Sequence, residues 1–262
     1  MKNKDLIYEG KAKKLFAHED NDKIIQFFKD DATAFNKKKH EVISEKGILN
    51  NLISEYIFKY LKDNGVDNHF IERLNNREQL IKKVEIIPVE VIIRNIATGT
   101  LSKRLGVKEG LKLNRPLVEF SLKNDDLDDP ILSEEHIDVL GYASDKEIND
   151  IKNQGLIIND LLSNLFASIN IKLVDFKVEF GRLKTGQKTE IILADEISPD
   201  TCRLWDSNTD KKLDKDRFRK NLGNLIPAYQ EVAKRLGILH EEANVRHVNF
   251  SKPKSVKLKK NK

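Results

Sequence analysis

The chain has 262 residues, 39% hydrophobic and 34% charged, with a formal net charge of +5, enough for one large or two modest domains with a real core and too apolar for disorder. Its apolar runs fall far short of the ~20 residues a membrane span needs, and residues 1–10 (MKNKDLIYEG) hold no apolar stretch of the secretory-signal kind. One cysteine, Cys202, allows neither an intrachain disulfide nor a cysteine-rich zinc site, so a soluble cytoplasmic protein is expected.

Residues 6–9, 14–18 and 23–28 read as strands, the last two joined by the turn Glu19-Asp20-Asn21-Asp22. Ser44 is a candidate N-cap for a helix in which Ile48, Leu49, Leu52, Ile53, Tyr56, Ile57, Tyr60 and Leu61 recur at helical spacing until Asn64-Gly65. Residues 69–74, 79–86 and 89–96 read as strands, with Pro88 dividing the last two, and residues 97–130 as irregular. A long helical pattern covers 144–169, with a soft spot at Gly155. Strands follow at 171–180 and 189–194, joined by a turn containing Thr185-Gly186. A last helix spans 214–236, kinked or divided by Pro227. The expected architecture is α+β and two-lobed: a small β-rich N-terminal lobe (1–87), a larger α+β lobe with an antiparallel sheet (88–250), and a cleft between them for a ligand.

The richest stretch is Leu173-Val174-Asp175-Phe176-Lys177-Val178-Glu179-Phe180-Gly181. Side chains on a strand alternate, so Val174, Phe176, Val178 and Phe180 share one face, while Asp175, Lys177 and Glu179 share the other at steps of about 7 Å. A solvated outer face gives the same pattern. The apolar neighbours Ile171, Leu173 and Ile191-Ile192-Leu193 argue for burial, where such a row must pair or bind a ligand. A hairpin returns Asp195 toward this strand, but a slip of one residue would send it to the other face. If Asp195 joins the row, two carboxylates suit Mg²⁺, which takes one or two carboxylates plus phosphate oxygens.

Three further stretches carry polar groups. The strand 89–96 delivers Arg94 to its end, followed by Ala97-Thr98-Gly99-Thr100. Arginine, glycine and a hydroxyl suit a phosphate, although a strand-end arginine also serves in ordinary surface ion pairs. Tyr8-Glu9-Gly10-Lys11-Ala12-Lys13-Lys14 could lie over nucleotide phosphates, yet it is neither a P-loop nor GxGxxG. Ser198-Pro199-Asp200-Thr201-Cys202-Arg203-Leu204-Trp205-Asp206 holds the lone tryptophan and offers Arg203 to an anion.

Taken in order, these stretches resemble the SAICAR synthetase family, as does Asp214-Lys215-Asp216-Arg217-Phe218-Arg219, and the likeness covers about residues 5–237. It departs at Thr100, where the family usually has serine; the hydroxyl is kept. The resemblance implies a ligase that uses ATP to join L-aspartate to 4-carboxyaminoimidazole ribonucleotide, through an acyl phosphate, with Mg²⁺ as cofactor and a homodimer as the assembly. It implies that Gly10, Lys11, Ala12 and Lys13 cover the ATP phosphates and that residues 82–86, from Lys82 to Ile86, form a hinge facing adenine. By the same resemblance, Arg94, Thr100 and Arg203 should grip the ribonucleotide phosphate, Asp175 and Lys177 should meet the imidazole, Glu179 and Asp195 should hold the metal, and Lys177 and Lys13 should be the catalytic cations. For L-aspartate it points only to residues 31–36 with Lys46-Gly47.

Two rivals are a kinase-like small-molecule phosphotransferase and a nucleic-acid binder. The second rests on residues 251–262, which carry six lysines and no acid, more than the whole net charge. That tail lacks aromatic residues, so any binding there is expected to be non-specific; neither specific nucleic acid nor membrane is expected as a partner, and the tail itself reads as solvated.

Overall fold

The computed structural model describes residues 5–34 and 39–239; the expectation of a solvated basic tail lies outside them. The chain opens with β1 (Leu6–Glu9), β2 (Lys13–Ala17) and β3 (Lys23–Phe28). A short hairpin follows, β4 (Asp31–Ala34) with β5 (Lys39–Val42), then helix α1 (Lys46–Asp63), β6 (Phe70–Arg73) and β7 (Glu78–Lys82). β1-β2-β3-β7-β6 form one antiparallel sheet, and Ile24, Ile25 and Phe28 of β3 are buried against its neighbours. Helix α1 buries Leu49, Ile53, Ile57, Phe58 and Leu61 along one stripe. Asn64 and Gly65 (φ 86°) end it as expected. Its start differs: Ser44 does not cap it, and Glu45 stands there in a left-handed conformation with no side-chain cap. Asp30 accepts from the Gly47 N–H at 2.9 Å, and Gly47 lies so close to the Phe28 carbonyl that a Cβ would sit 2.4 Å from its oxygen. Packing against β3 therefore fixes the first turn where a hydroxyl usually would.

The second layer comprises β8 (Glu85–Ile96), α2 (Gly99–Leu105), β9 (Lys112–Leu122), a 3-10 turn (Asp125–Leu127), β10 (Ile131–Leu132), α3 (Glu134–Val139) and α4 (Asp145–Ser168). It continues through β11 (Ile171–Thr185), β12 (Lys188–Ala194), β13 (Cys202–Asp206), α5 (Asp216–Arg219) and α6 (Leu225–Arg235). The sheet runs β10-β9-β8-β11-β12, with β13 also on β11, and every pairing is antiparallel.

Local pattern misplaced four features here. Pro88 does not divide a strand: β8 runs through it, at an irregularity in its pairing with β11 between Glu179 and Gly181, where a missing N–H costs no ladder bond. The span 97–130 is not irregular, because β9 pairs with β8 over most of its length; Asn114, Arg115 and Pro116 hid the alternation. Gly155 is no soft spot. A Cβ there would lie 3.3 Å from Ile93 Cδ1, so the glycine seats α4 closely on β8. The last helical stretch is divided, but at Asn221, Gly223 and Asn224, all at positive φ, and Pro227 sits inside the first turn of α6 where its missing N–H is harmless.

Ser144 and Glu147 form a capping box at the start of α4. Arg182 Nε donates to Glu147 at 2.6 Å, which holds that carboxyl down at a pKa of about 2 and ties the helix to β11. One apolar cluster runs from α1 through β8 and β11 to α4 and α6, with Val91, Ile93, Val178, Ile158 and Val232 fully buried. The polar face of β11 is left turned toward the first sheet.

Candidate active site

A cavity of about 770 Å³ is lined by the β1–β2 turn, by β3 and β7, and by the polar faces of β8 and β11. Its apolar end is Leu15, Ile24, Ile81, Val84 and Ile86, and its polar end is Lys13, Glu90, Lys123, Lys177, Glu179 and Asp195. The turn is drawn tight by Gly10 N–H donating to the Lys13 carbonyl at 2.9 Å, so Gly10, Lys11, Ala12 and Lys13 all border the cavity. Lys11 reaches Asp125 across it at 2.6 Å. Lys82 and Ile86 border it as well. The N–H groups of Lys82 and Lys83 are already taken, by the carbonyls of His69 (2.7 Å) and Asp22 (2.8 Å).

Alternation along β11 does what the sequence implied. Val174, Phe176, Val178 and Phe180 are buried in the core, while Asp175 and Glu179 are buried on the opposite side. Lys177 Nζ donates to Glu90 and Glu179, both at 2.9 Å, and lies 3.6 Å from Asp195 Oδ2. Burial disfavours its charge, yet Glu179 and Glu90 outweigh that and raise its pKa above the ordinary lysine value. Burial likewise opposes ionisation of Glu179, but Lys177, Lys123 and Lys13 prevail and hold it well below the usual carboxylate range. Lys13 is lowered by burial, and contacts Asp195 and, at 3.1 Å, Glu196. The register left open by the sequence is Glu179 opposite Ala194. Asp195 then turns out of β12 at φ 63°, and its carboxylate shares Lys177 with Glu179 while also pairing with Lys13. Left-handed backbone at a non-glycine residue is uncommon and collects at functional sites.

No group of three or more histidine, cysteine or acidic side chains able to hold a metal occurs among the described residues. Mg²⁺ needs less when phosphates supply the remaining oxygens. One ammonium, Lys177, touches both Glu179 and Asp195, so the two carboxylates stand close enough to serve one ion, and the donor set fits.

Arg94, Thr100, Asp175 and Arg203 come together in a second cluster beside the cavity. Asp175 Oδ2 accepts from Arg94 Nη1 and Arg203 Nη1, both at 2.7 Å, and Arg94 Nη2 donates to Thr100 Oγ1 at 3.2 Å. Gly99 (φ 58°) is required here, because a Cβ would fall 2.5 Å from Arg203 Nη2. Asp175 is thus engaged by two guanidinium groups and not by Lys177.

The SAICAR synthetase family model matches residues 6–236. A phosphoribosylaminoimidazole-succinocarboxamide synthase from Pelagibacter ubique (strain HTCC1062) is 58% identical over 260 residues, 99% of this chain and 100% of that one. The chain belongs to the SAICAR synthetase family. The crystal structure of phosphoribosylaminoimidazole-succinocarboxamide synthase from Ehrlichia chaffeensis superposes with a TM-score of 0.88 at 53% identity, over 90% of this chain and 99% of that one. A SAICAR synthetase solved in complex with ADP gives 0.83 at 45% identity, over 87% and 96%. The resemblance read from the four stretches is therefore correct, as is the two-lobed α+β fold.

Within this SAICAR synthetase site, several residues escaped the sequence reading. Lys123 donates to Glu179 at 2.6 Å from the end of β9, a strand the pattern concealed. Glu90 was two alternation steps away: it lies on the same face of β8 four residues before Arg94 and directly opposite Glu179 in register. Glu196 is buried beside Lys13. Asp200, Lys215 and Arg219 border the cavity beyond Thr201; they sit inside stretches already noted for their polarity, but which of them faces inward is a tertiary fact. Lys46 is fully buried, donating to Asp200 Oδ2 at 2.6 Å, while Tyr229 Oη donates to Oδ1 at 2.6 Å. That pairing closes Lys46 off from the cavity, and residues 35–36 lie outside the described residues.

Proposed function

We propose that the chain is an ATP-dependent ligase that joins L-aspartate to the carboxylate of 4-carboxyaminoimidazole ribonucleotide, giving SAICAR, ADP and phosphate in purine synthesis. The carrying observation is that the lysines of the β1–β2 turn and the charged row of β11 border one cavity, in a chain of this family.

The chemistry follows from the poor reactivity of a carboxylate. A carboxylate oxygen of the ribonucleotide attacks the γ-phosphorus, the bond to the β-phosphate oxygen breaks, and ADP leaves with that electron pair. The acyl phosphate so formed has a good leaving group. The neutral amine of aspartate attacks its carbonyl carbon, phosphate departs, and the amine loses a proton. Three anionic reactants must be held together in a site that excludes water.

Lys13 and Lys11 grip the triphosphate, and the apolar end at Ile24, Ile81 and Ile86 receives adenine. Lys177, held protonated by its two carboxylates, acts electrostatically on the transferring phosphoryl group and not as a base. Glu179 and Asp195 would hold Mg²⁺ with the phosphates, and when bound the ion supplies charge neutralisation and Lewis acidity. Arg94, Thr100 and Arg203 grip the ribonucleotide phosphate, with Asp175 fixing both guanidinium groups. Lys215 and Arg219 supply cations for the dicarboxylate of aspartate.

The deciding experiment follows ADP release with ribonucleotide and aspartate added singly and together. Fast release is expected only with both. Equal turnover without aspartate, or a stable phosphorylated product, would overturn the reading in favour of a phosphotransferase.

A homodimer is the proposed assembly. Supporting it are apolar side chains exposed on α3 and α4, Val139 at 76% and Ile157 at 53%. Light scattering on a sizing column should report twice the chain mass of 30.2 kDa, and the single mass at micromolar concentration would remove the proposal. The cytoplasm, where ATP is supplied, is the proposed location; no helix among the described residues is long and apolar enough to cross a membrane.

A further inference from the structure

One buried carboxylate is left over by this chemistry. Asp214 is fully buried, does not line the cavity, and yet spends both oxygens on main-chain donors. Oδ2 accepts from Leu204 N–H of β13 at 2.8 Å, and Oδ1 accepts from Asp216 N–H at 2.7 Å. The segment it joins to β13 is α5, only four residues long. A helix that short cannot hold its own geometry, so its position must be imposed by contacts such as these.

What α5 carries explains why that position matters. Asp216 Oδ2 accepts from Arg203 Nε at 3.2 Å, and its Oδ1 from Arg219 Nη1 at 2.8 Å. Arg203 is thus oriented from two sides, by Asp175 on β11 and by Asp216 on α5. Lys215 and Arg219 of the same segment face the cavity. A shift of α5 by a fraction of an ångström would move all three cations together.

We propose that Asp214 is a positioning residue that clamps the α5 segment to β13 and, through Asp216, aims Arg203 and Arg219 at the bound substrates. This rests on the reading of Arg203 as the grip on the ribonucleotide phosphate. The clamp needs an acceptor on each carboxylate oxygen, which the ionised form provides. Burial, and then the like charge of Asp216, push the Asp214 pKa up to about 7. The charged and titratable groups around it are Asp216 and Arg219 on α5, Arg203 and Cys202 on β13, Tyr229 on α6, and Lys212. As pH falls through about 7, one oxygen gains a proton and the clamp loosens.

The test is Asp214→Asn, a change of shape by almost nothing that sets an amide NH₂ against one of the two N–H donors. The KM for the ribonucleotide should rise by roughly ten- to a hundredfold, while the KM for ATP, held by the other sheet, and the far-UV circular dichroism stay unchanged. Trp205, the lone tryptophan, adjoins Leu204 and reports on the clamp: its emission should titrate with a midpoint near pH 7 in the unaltered protein and not in the variant. An unaltered ribonucleotide KM, or a Trp205 transition that persists in the variant, would overturn the proposal. Should that variant fail to fold, Asp216→Asn should move the Trp205 midpoint to lower pH and raise the same KM, and a protein with both unchanged overturns it equally. Absence of any ligase turnover in the unaltered protein would instead sink the reaction itself, and the tryptophan titration would still judge Asp214.

Discussion

Replacing Lys177 with alanine is expected to lower kcat by about 10²–10³ in a protein that still folds and still binds ATP. The fold survives because Glu179 keeps Lys123 at 2.6 Å as a partner. Glu90 loses its ammonium, and leaving such a group unpaired costs about 1–3 kcal/mol, which a thermal melt will register as a modest shift. Catalysis has no such substitute. Lys177 stands where the row of β11 meets the carboxylates of β8 and β12, and its charge is fixed before the phosphoryl group moves. Preorganised charge of this kind costs no reorganisation at the moment of reaction. Rapid-quench measurement of ADP formation would separate the chemical step from binding. A variant with kcat near the unaltered value would show that Lys177 serves the fold alone. Raising the pH toward 10 should leave the Lys177 contribution intact, because its pKa lies above the ordinary lysine value.

Glu179→Gln carries the second large effect, through the metal. The amide keeps the volume but removes one of the two anionic ligands proposed for Mg²⁺. Lewis-acid stabilisation is worth several kcal/mol, and at ~1.4 kcal/mol per tenfold turnover should fall by about 10²–10³ at cellular Mg²⁺. Part of the loss should return as Mg²⁺ is raised, since Asp195 and the phosphates remain. A titration of activity against free Mg²⁺ at saturating ATP measures this directly. An unchanged half-saturation point would take Glu179 off the metal. The substitution also leaves Lys177, Lys123 and Lys13 with less counter-charge, so the melting temperature of the nucleotide-free protein should drop. That loss has a sign in pH. Glu179 is held below its unfolded pKa, so its contribution to stability is complete above the ordinary carboxylate range and fades as pH falls toward its depressed value. The unaltered protein and the variant should therefore converge in stability as the solution is acidified.

Both variants perturb a site that carries its counter-charges within itself. Lys11 rests on Asp125, Lys13 on Asp195 and Glu196, and Lys177 on Glu90 and Glu179. On the proposed reading, each lysine would exchange a carboxylate for a phosphate oxygen when nucleotide enters. The carboxylate pairing keeps the cations ordered beforehand, which is what desolvated charge requires.

Much of this was legible along the chain. Alternation on β11 sorted Val174, Phe176 and Val178 from Asp175, Lys177 and Glu179 without any coordinates, because side-chain direction on a strand is a property of the strand itself. The stretch ending in Arg94 and Thr100, and the Gly10–Lys13 turn, were likewise visible as local chemistry. Three things were not. Pro88 and β9 defeated the strand reading because irregularities in strand pairing, opposite Pro88 and near Arg94, relax the local rules. Lys123, Lys215 and Arg219 are ordinary cations until a partner surface approaches. The side taken by Asp195 depends on register, and register belongs to two strands at once. The sequence by itself determined the inventory of charges and the face each occupies on its own element. Only the tertiary structure decided which faces meet, since burial, pairing and the resulting pKa shifts are set by groups far apart in the chain.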